Sequence, residues 1–488
     1  MTDGKSTMVA KLSGLTITIA AAMVLSACNL APKYQQPQVF TDTADFKYAS
    51  QSNSDIKAYE LGWQEYFADP QLKQLIGLAI DNNRDLRVAA LNVEAVEKQY
   101  RIQRSDLFPG LNASGSMNKS RTAADFRGAN SAAVSKQYSV GLGVTAYELD
   151  LWGKIRNLSD AALNDYFATR EARDAVQISL VASVAKAYYA ERFAEEAMKV
   201  SQNVLSSREK SYRLADLKYK HGVSSKIDLR TAETLVESAK ADYQSQLRAR
   251  EQARNALVTL IGGQYPSEVA ARASLDQQFA YAGLPSGLPS EMLLYRPDIR
   301  QAEYNLKAAN ANIGAARAAF FPSISLTGTI GSGSVQLDNL FTGPNRTWSF
   351  MPQISIPIFN WGANKAGLDL TRVRKEISVV QYEQAVQDAF QDVSDVLVAN
   401  ATLKEQYASQ RKSTAAEVDR NRLMQMRFNQ GIADSLTLLD SQRQSYAAQL
   451  TLLAVQQEWL NNRVDLYKVL GGGLKAYRDG QVQTGSAE

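Results

Sequence analysis

Cys28 and His221 are the only cysteine and the only histidine in 488 residues. A thiol nucleophile with an imidazole base, or a Cys/His metal cage, needs several such side chains within reach of one another. Carboxylates are plentiful, but they lie among basic residues in long stretches with no sign of a pocket. The chain therefore reads as one with no catalytic residue and no metal site. A histidine alone titrates near neutral pH, but His221 sits at a turn, and an exposed turn histidine is the simpler reading.

Cys28 has a different chemistry in front of it. Lys5 and Lys11 give a short basic start, and Leu12 to Leu25 is apolar but too short to span a bilayer. The run ends in Leu25-Ser26-Ala27-Cys28, a lipobox. There a peptidase leaves the cysteine as the new N-terminus, carrying S-diacylglycerol on its thiol and N-palmitoyl on its amine. Several acyl chains anchor stably where one alone is marginal. Asn29 rather than Asp follows, which favours the outer membrane. Removal of residues 1–27 takes away Asp3, Lys5 and Lys11, so the formal charge goes from +4 to +3. Near balance and without a basic block, the mature chain is unsuited to nucleic acid. With a single cysteine, no intrachain disulfide can form.

The rest of the chain is written twice. Phe108-Pro109 returns as Phe321-Pro322, an offset of 322 − 109 = 213. Trp152-Gly153 returns as Trp361-Gly362, and Gly222 as Gly431, both at an offset of 209. Leu260-Ile261-Gly262-Gly263 returns as Val469-Leu470-Gly471-Gly472, also at 209. This is a duplicated architectural unit, not a short solenoid repeat. Each half has the order helix, strand, strand, very long helix, tight turn, helix.

Lys154 to His221 contains neither Gly nor Pro over 68 residues, and Ala363 to Gln430 contains only Gly367. A continuous helix of that length spans about 100 Å. Further breaker-free runs follow, Val223 to Ile261 and Ile432 to Leu470. Ala, Gln, Arg, Glu and Leu dominate all four. Leu450, Leu453, Leu460, Val464 and Tyr467 step as coiled-coil a/d positions. None offers the 18-residue apolar run of a transmembrane helix. Periodicity leaves two readings open: a solvated antiparallel rod, or a barrel of helices wet inside and out.

Before each long helix lie two segments of period-two alternation. Tyr138, Val140, Leu142 and Val144 alternate with Ser139, Gly141, Gly143 and Thr145. Ile324, Leu326 and Ile330 alternate with Ser323, Ser325, Thr327 and Thr329; Trp348, Phe350 and Ile354 alternate with Thr347, Ser349 and Gln353. Leu111 to Met117 alternates weakly. Gly- and Ser-rich segments 119–136 and 331–346 read as the hairpin loops, and Pro109 and Pro322 mark helix-to-strand changes. Alternation with a small polar face suits a lipid-exposed barrel over an aqueous lumen. Four strands are too few to close around a pore, and open edges do not sit in lipid. Several chains must then pool strands; three chains give twelve.

These features meet in a family resemblance. Leu293-Leu294-Tyr295-Arg296-Pro297-Asp298-Ile299-Arg300-Gln301-Ala302-Glu303, running on to Phe321-Pro322-Ser323-Ile324, resembles a signature of the lipoprotein branch of TolC/OprM-type outer membrane factors. Ile356-Pro357-Ile358-Phe359-Asn360-Trp361-Gly362, Leu436-Thr437-Leu438-Leu439-Asp440-Ser441-Gln442-Arg443 and Leu466-Tyr467-Lys468-Val469-Leu470-Gly471-Gly472-Gly473 are similar to further motifs of that branch. The likeness covers essentially residues 28–475. Tyr295 departs from it, standing where many members carry a second arginine. The resemblance implies a mixed fold, all-α plus membrane β. A homotrimer would pool four strands per chain into a 12-stranded β-barrel, continuous with a long 12-helix α-barrel. It also implies a periplasmic adaptor, an inner-membrane pump of the resistance–nodulation–division (RND) class and outer membrane lipid as partners.

On this reading the chain divides as a signal peptide at 1–27, an anchor and equatorial segment at 28–70 and a helical segment at 71–109. A membrane β-hairpin at 110–151, a periplasmic helical hairpin at 152–262 and an equatorial linker at 263–290 follow. The second half repeats this as 291–321, 322–360 and 361–470, with an equatorial tail at 471–488.

Transport through a tube needs a continuous wet path and a gate. A glycine after a long helix is a left-handed cap and a point of reversal, so the chain turns at Gly222 and Gly431. Gly222-Val223-Ser224 and Gly431-Ile432-Ala433 resemble the family's adaptor-docking tips. Leu436, Asp440 and Arg443 are spaced i, i+4, i+7 and share one helix face. From spacing alone they are a surface stripe with an i, i+3 ion pair. By resemblance they match the pore constriction, where Leu436 rings and Asp440–Arg443 links across helices would hold a resting gate closed. The expected function is a passive exit duct of an RND-type tripartite efflux system for antibiotics and other small molecules. The alternatives are an outlet for type I secretion or metal-ion efflux and, more remotely, a lipid-anchored coiled-coil scaffold, which leaves the strands unexplained.

Overall fold

The structure is a computed structural model describing residues 29–38, 59–126, 134–268, 270–281 and 295–474. The leader 1–27, Cys28 and the tail 475–488 lie outside the described residues. The elements are α1 (Trp63–Tyr66), α2 (Pro70–Asn82), α3 (Arg84–Ser105), β1 (Leu111–Arg121), β2 (Val134–Glu148), α4 (Lys154–Lys220), α5 (Lys226–Ile261), α6 (Pro297–Ala318), β3 (Ser323–Ser334), β4 (Arg346–Ser355), α7 (Ala363–Asn429) and α8 (Ser435–Val469). Both α4 and α7 run for 67 residues, as their lack of breakers predicts. Among the described residues no helix is long and apolar enough to cross a membrane.

The described residues form two compact units, which fall within Met1–Gln38, Asn92–Thr169 and Gln301–Glu383 for one and Val39–Leu91, Arg170–Arg300 and Gln384–Glu488 for the other. The first contains the sheet. Its four strands lie in the order β1-β2-β3-β4, all antiparallel, so the pairing of β2 with β3 joins the two halves of the duplication. The strands are longer than their hydrophobic alternation suggests. Ladders continue to Arg121↔Val134 and Tyr138↔Ser334, inside the segments expected to be loops, because backbone pairing needs no apolar side chain. In the same unit, Ala161 of α4 packs on Ala308 and Ala311 of α6. Small side chains at that contact let the two helices approach closely.

In the same unit, residues 30–36 run along α6 in the opposite direction. Arg317 Nη1 donates to the Leu30 carbonyl at 2.9 Å, Asn310 Nδ2 to the Pro32 carbonyl at 2.8 Å, and Tyr34 Oη to Glu303 Oε1 at 3.2 Å. Gln36 Nε2 then donates to Tyr382 Oη at 2.8 Å. The chain thus enters at the end of α6 that leads into β3.

The second unit is held by a buried aromatic cluster. Tyr66 and Tyr467 stack at 4.5 Å, with Phe67 and Phe279 against them. Arg296 explains its motif: its Nη2 donates to Asp298 Oδ2 at 2.6 Å and to Asp392 Oδ2 at 3.0 Å, and its Nη1 to the Val469 carbonyl at 3.3 Å. One planar guanidinium thereby ties the start of α6 to α7 and α8. Tyr295 stacks on Tyr59 at 3.6 Å, which gives the departure from the family motif a packing role.

Candidate functional site: a two-faced sheet and two helical tips

Directly opposed residues in a sheet project to the same face, so the register sorts every strand side chain. One face collects Leu111, Val140, Leu142, Ile330, Trp348 and Phe350; cations (Lys119, Arg121, Lys136, Arg346) join it at the loop ends of the strands. The other face collects Asn112, Ser114, Ser116, Asn118, Gln137, Ser139, Thr329, Thr347 and Ser349. Hydroxyls on it pair across strands, Ser116 with Ser139 at 2.7 Å and Thr329 with Ser349 at 2.6 Å. The weak alternation of the first strand becomes clear here: its small apolar positions, Ala113 and Gly115, share a face with Val140 and Leu142. The apolar face is exposed, with Trp348 at 79% and Leu111 at 69%. Strands β1 and β4 are exposed throughout, and each leaves one edge unpaired among the described residues.

The two helical tips are built alike. At the end of α4, Gly222 N–H donates to the Tyr219 carbonyl at 3.0 Å and Val223 N–H to the Lys218 carbonyl at 2.9 Å. Beyond α7, Gly431 donates to Phe428 at 3.0 Å and Ile432 to Arg427 at 2.9 Å. Both are Schellman motifs, and both glycines have φ of +73°, a region costly for any residue with a Cβ. Val223 and Ile432 are left exposed beside them.

The next helices share one hydrogen bond, from the backbone N–H of the third helical residue to the cap side chain, with the residue types exchanged. Ser225 caps α5 by accepting from Asp228 N–H at 3.1 Å, while Asp228 accepts from the Ser225 backbone at 3.1 Å. Asp434 caps α8 by accepting from Thr437 N–H at 2.8 Å. The Ser225 hydroxyl holds the Asp228 carboxyl below its ordinary range, and the Thr437 N–H does the same for Asp434.

Helix α8 divides cleanly around its axis. Leu438, Ser441 and Ser445 are buried, whereas Leu436, Asp440 and Arg443 form an exposed stripe. Within the chain, Arg443 Nη2 donates to Asp440 Oδ1 of its own helix at 2.9 Å, not to a neighbouring helix. Leu436 is 76% exposed; its counterpart Ile227 in the first turn of α5 is 77% exposed. The 209-residue offset pairs the two positions, so each hairpin carries an exposed apolar residue in the first turn after its tip. Thr231 and Thr234 below it turn their hydroxyls back to carbonyls of their own helix. His221 lies on the first tip, exposed.

A family model described as outer membrane efflux protein matches residues 75–263 and 288–472. The chain is an outer membrane efflux protein. It is 45% identical over 470 residues to the antibiotic efflux pump outer membrane protein ArpC of Pseudomonas putida, covering 96% of both chains. It is equally similar to the toluene efflux pump outer membrane protein TtgC of Pseudomonas putida, at 45% over 470 residues. The crystal structure of the open state of the Neisseria gonorrhoeae MtrE outer membrane channel superposes with a TM-score of 0.84 at 47% identity, covering 92% of this chain and 99% of that one. Membership places this efflux protein in the outer membrane as a transport component, in agreement with the resemblance carried by its motifs.

Proposed function

We propose that three copies of the chain pool their sheets into one 12-stranded barrel and their long helices into a 12-helix periplasmic tube, which together form a passive exit duct. The carrying observation is the sheet: one apolar face, one face of hydroxyls and amides, and two edges unpaired among the described residues. In hydrocarbon an open edge leaves backbone groups unsatisfied, at several kcal/mol each. Closure with further copies removes that cost and turns the hydroxyl face to an aqueous lumen.

The exported class is small organic molecules, antibiotics and solvents among them. The relatives named for antibiotic and toluene efflux favour this over protein secretion or metal efflux. Substrate would arrive from an inner-membrane RND pump through a periplasmic adaptor seated on the tips at Gly222, Val223, Ser224, Gly431, Ile432 and Ala433. Leu436, Asp440 and Arg443 would line the constriction just inside the second tip. An adaptor that binds the open form more tightly shifts the population towards it. Cys28 carries N-palmitoyl and S-diacylglycerol; the entry of residues 30–36 at the strand end of α6 supports an anchor beside the barrel.

The test is a planar bilayer recording of the purified protein, paired with antibiotic, dye and solvent susceptibility of a deletion strain. Discrete channels together with hypersensitivity are expected. A protein that stays monomeric and inserts no channel would refute the reading.

A further inference from the structure

The duplication makes the inside of one chain a template for what lies between two. Trp152, just after β2, stacks on Phe321 at 4.8 Å and donates its Nε1–H to the Pro322 carbonyl at 2.7 Å. Leu149 N–H donates to the Ile324 carbonyl at 2.8 Å, and Tyr147 stands opposite Leu326. These contacts form the seam between the halves. Each partner has a counterpart: Trp361 for Trp152, Phe108-Pro109 for Phe321-Pro322, Ile356 for Tyr147 and Ala113 for Leu326.

The counterparts are exposed, with only Phe359 at 4.9 Å against the Trp361 ring. Trp361 is 90% exposed and Phe108 66% exposed, and they flank β4 and β1, at opposite edges of the sheet. Trp361 also has φ of +54°, a backbone conformation that a bulky residue keeps when its surroundings hold it. The helices repeat the pattern. Ala161 and Ala168 of α4 are buried, whereas their counterparts on α7, Leu370 and Ile377, are about half exposed.

We propose that the seam between neighbouring copies repeats the seam inside one chain. Trp361 of one copy stacks on Phe108 of the next and donates its Nε1–H to the Pro109 carbonyl, while β4 pairs antiparallel with the neighbour's β1 and Ile356 stands opposite Ala113. The inference rests on the trimer reading and adds the register and the residues that lock it. The sheet is alternately up and down over four strands, so β4 meets a neighbour's β1 with the antiparallel sense that β2 has to β3.

The test is disulfide trapping in the full-length protein purified in detergent. Opposed Cβ atoms lie about 5 Å apart, within reach of a disulfide. The variant Ile356→Cys with Ala113→Cys should give a reducible ladder up to trimer mass on copper phenanthroline oxidation. Ile356→Cys with Met117→Cys, about 13 Å out of register, should not, and each single variant controls for Cys28. Trp361→Ala and Phe108→Ala should each raise the oligomer's dissociation constant about tenfold, with the double variant no worse than the worse single one. Trapping at Met117 instead of Ala113, or additive effects of the two substitutions, overturns this seam while the native mass still reads as a trimer. A monomeric native mass removes the assembly itself and the seam with it.

Discussion

Tyr188 donates its hydroxyl to the carboxylate of Asp69 at 2.8 Å, and both residues are fully buried. The same carboxylate accepts from Gln71 N–H at 2.9 Å and Leu72 N–H at 3.3 Å, which caps α2, and from Ala273 N–H at 3.2 Å. Arg192 reaches Asp69 Oδ2 at 3.4 Å and Tyr188 Oη at 2.9 Å. A single aspartate thus satisfies a helix start, a connecting segment and a buried guanidinium. Removing one partner of such a network leaves charge and N–H groups stranded.

Asp69→Ala should therefore cost about 3–5 kcal/mol of stability, whereas Tyr188→Phe should cost about 1 kcal/mol, the net value of one hydrogen bond. Denaturant unfolding of the detergent-solubilised protein measures both. A loss at Asp69 no larger than at Tyr188 would show that the carboxylate does not organise the region.

The helix caps at the tips should respond to acid. Asp228 and Asp434 titrate below their ordinary range, so their stabilisation is complete above the unfolded-state value near 4 and is lost as pH falls through the lower folded-state value. Amide exchange of the segments after Ser225 and Asp434, corrected for the intrinsic rate, should rise as pH falls below about 4. Asp434→Asn keeps a good cap and should make the second tip indifferent to pH over that window. An unchanged acid response in that variant would assign the effect to other groups.

Adaptor docking should be separable from channel formation. Val223→Asp with Ile432→Asp places charge on two exposed apolar positions and leaves the Schellman hydrogen bonds in place. Pull-down of the adaptor should be lost, while trimer mass and bilayer conductance are retained. Full adaptor binding by this variant would move the docking site elsewhere.

The proposed constriction can be tested on its own. Asp440→Ala with Arg443→Ala should increase leak of small dyes into cells and raise resting conductance in bilayers. Leu436→Ala should add to the effect, because an apolar ring impedes hydrated ions. Conductance and leak equal to those of the unsubstituted protein would leave the Asp440–Arg443 contact as an ordinary helix-surface ion pair.

Much of this was legible in the sequence, for identifiable reasons. The absence of Gly and Pro between Lys154 and Lys220 predicts the long helix, since nothing else in that stretch stops one. Gly222 and Gly431 predict the reversals because a left-handed residue is needed there. Strand ends were not legible: past Met117 the ladder is carried by backbone groups and serine hydroxyls, which leave no hydrophobic signature. The strap at residues 30–36 was hidden as well. It has no periodicity, and its partners Asn310 and Arg317 are named only by the fold. Arg296 announced itself as a motif, but its partners Asp392 and Val469 lie 96 and 173 residues away along the chain.

The polar face of the sheet has one more consequence. Between Asn112 and Asn118, and again between Ser323 and Ser355, every side chain on that face is a hydroxyl, an amide, a hydrogen or, at Met351, a thioether. The one carboxylate there, Glu148 opposite Ser325, is paired with Lys154 at 3.1 Å, so the wall attracts neither sign of charge strongly and offers a travelling molecule few stations at which to linger. Cargo of unrelated structure would slide past it alike, so its width and the machinery behind it, not its chemistry, would decide what leaves the cell.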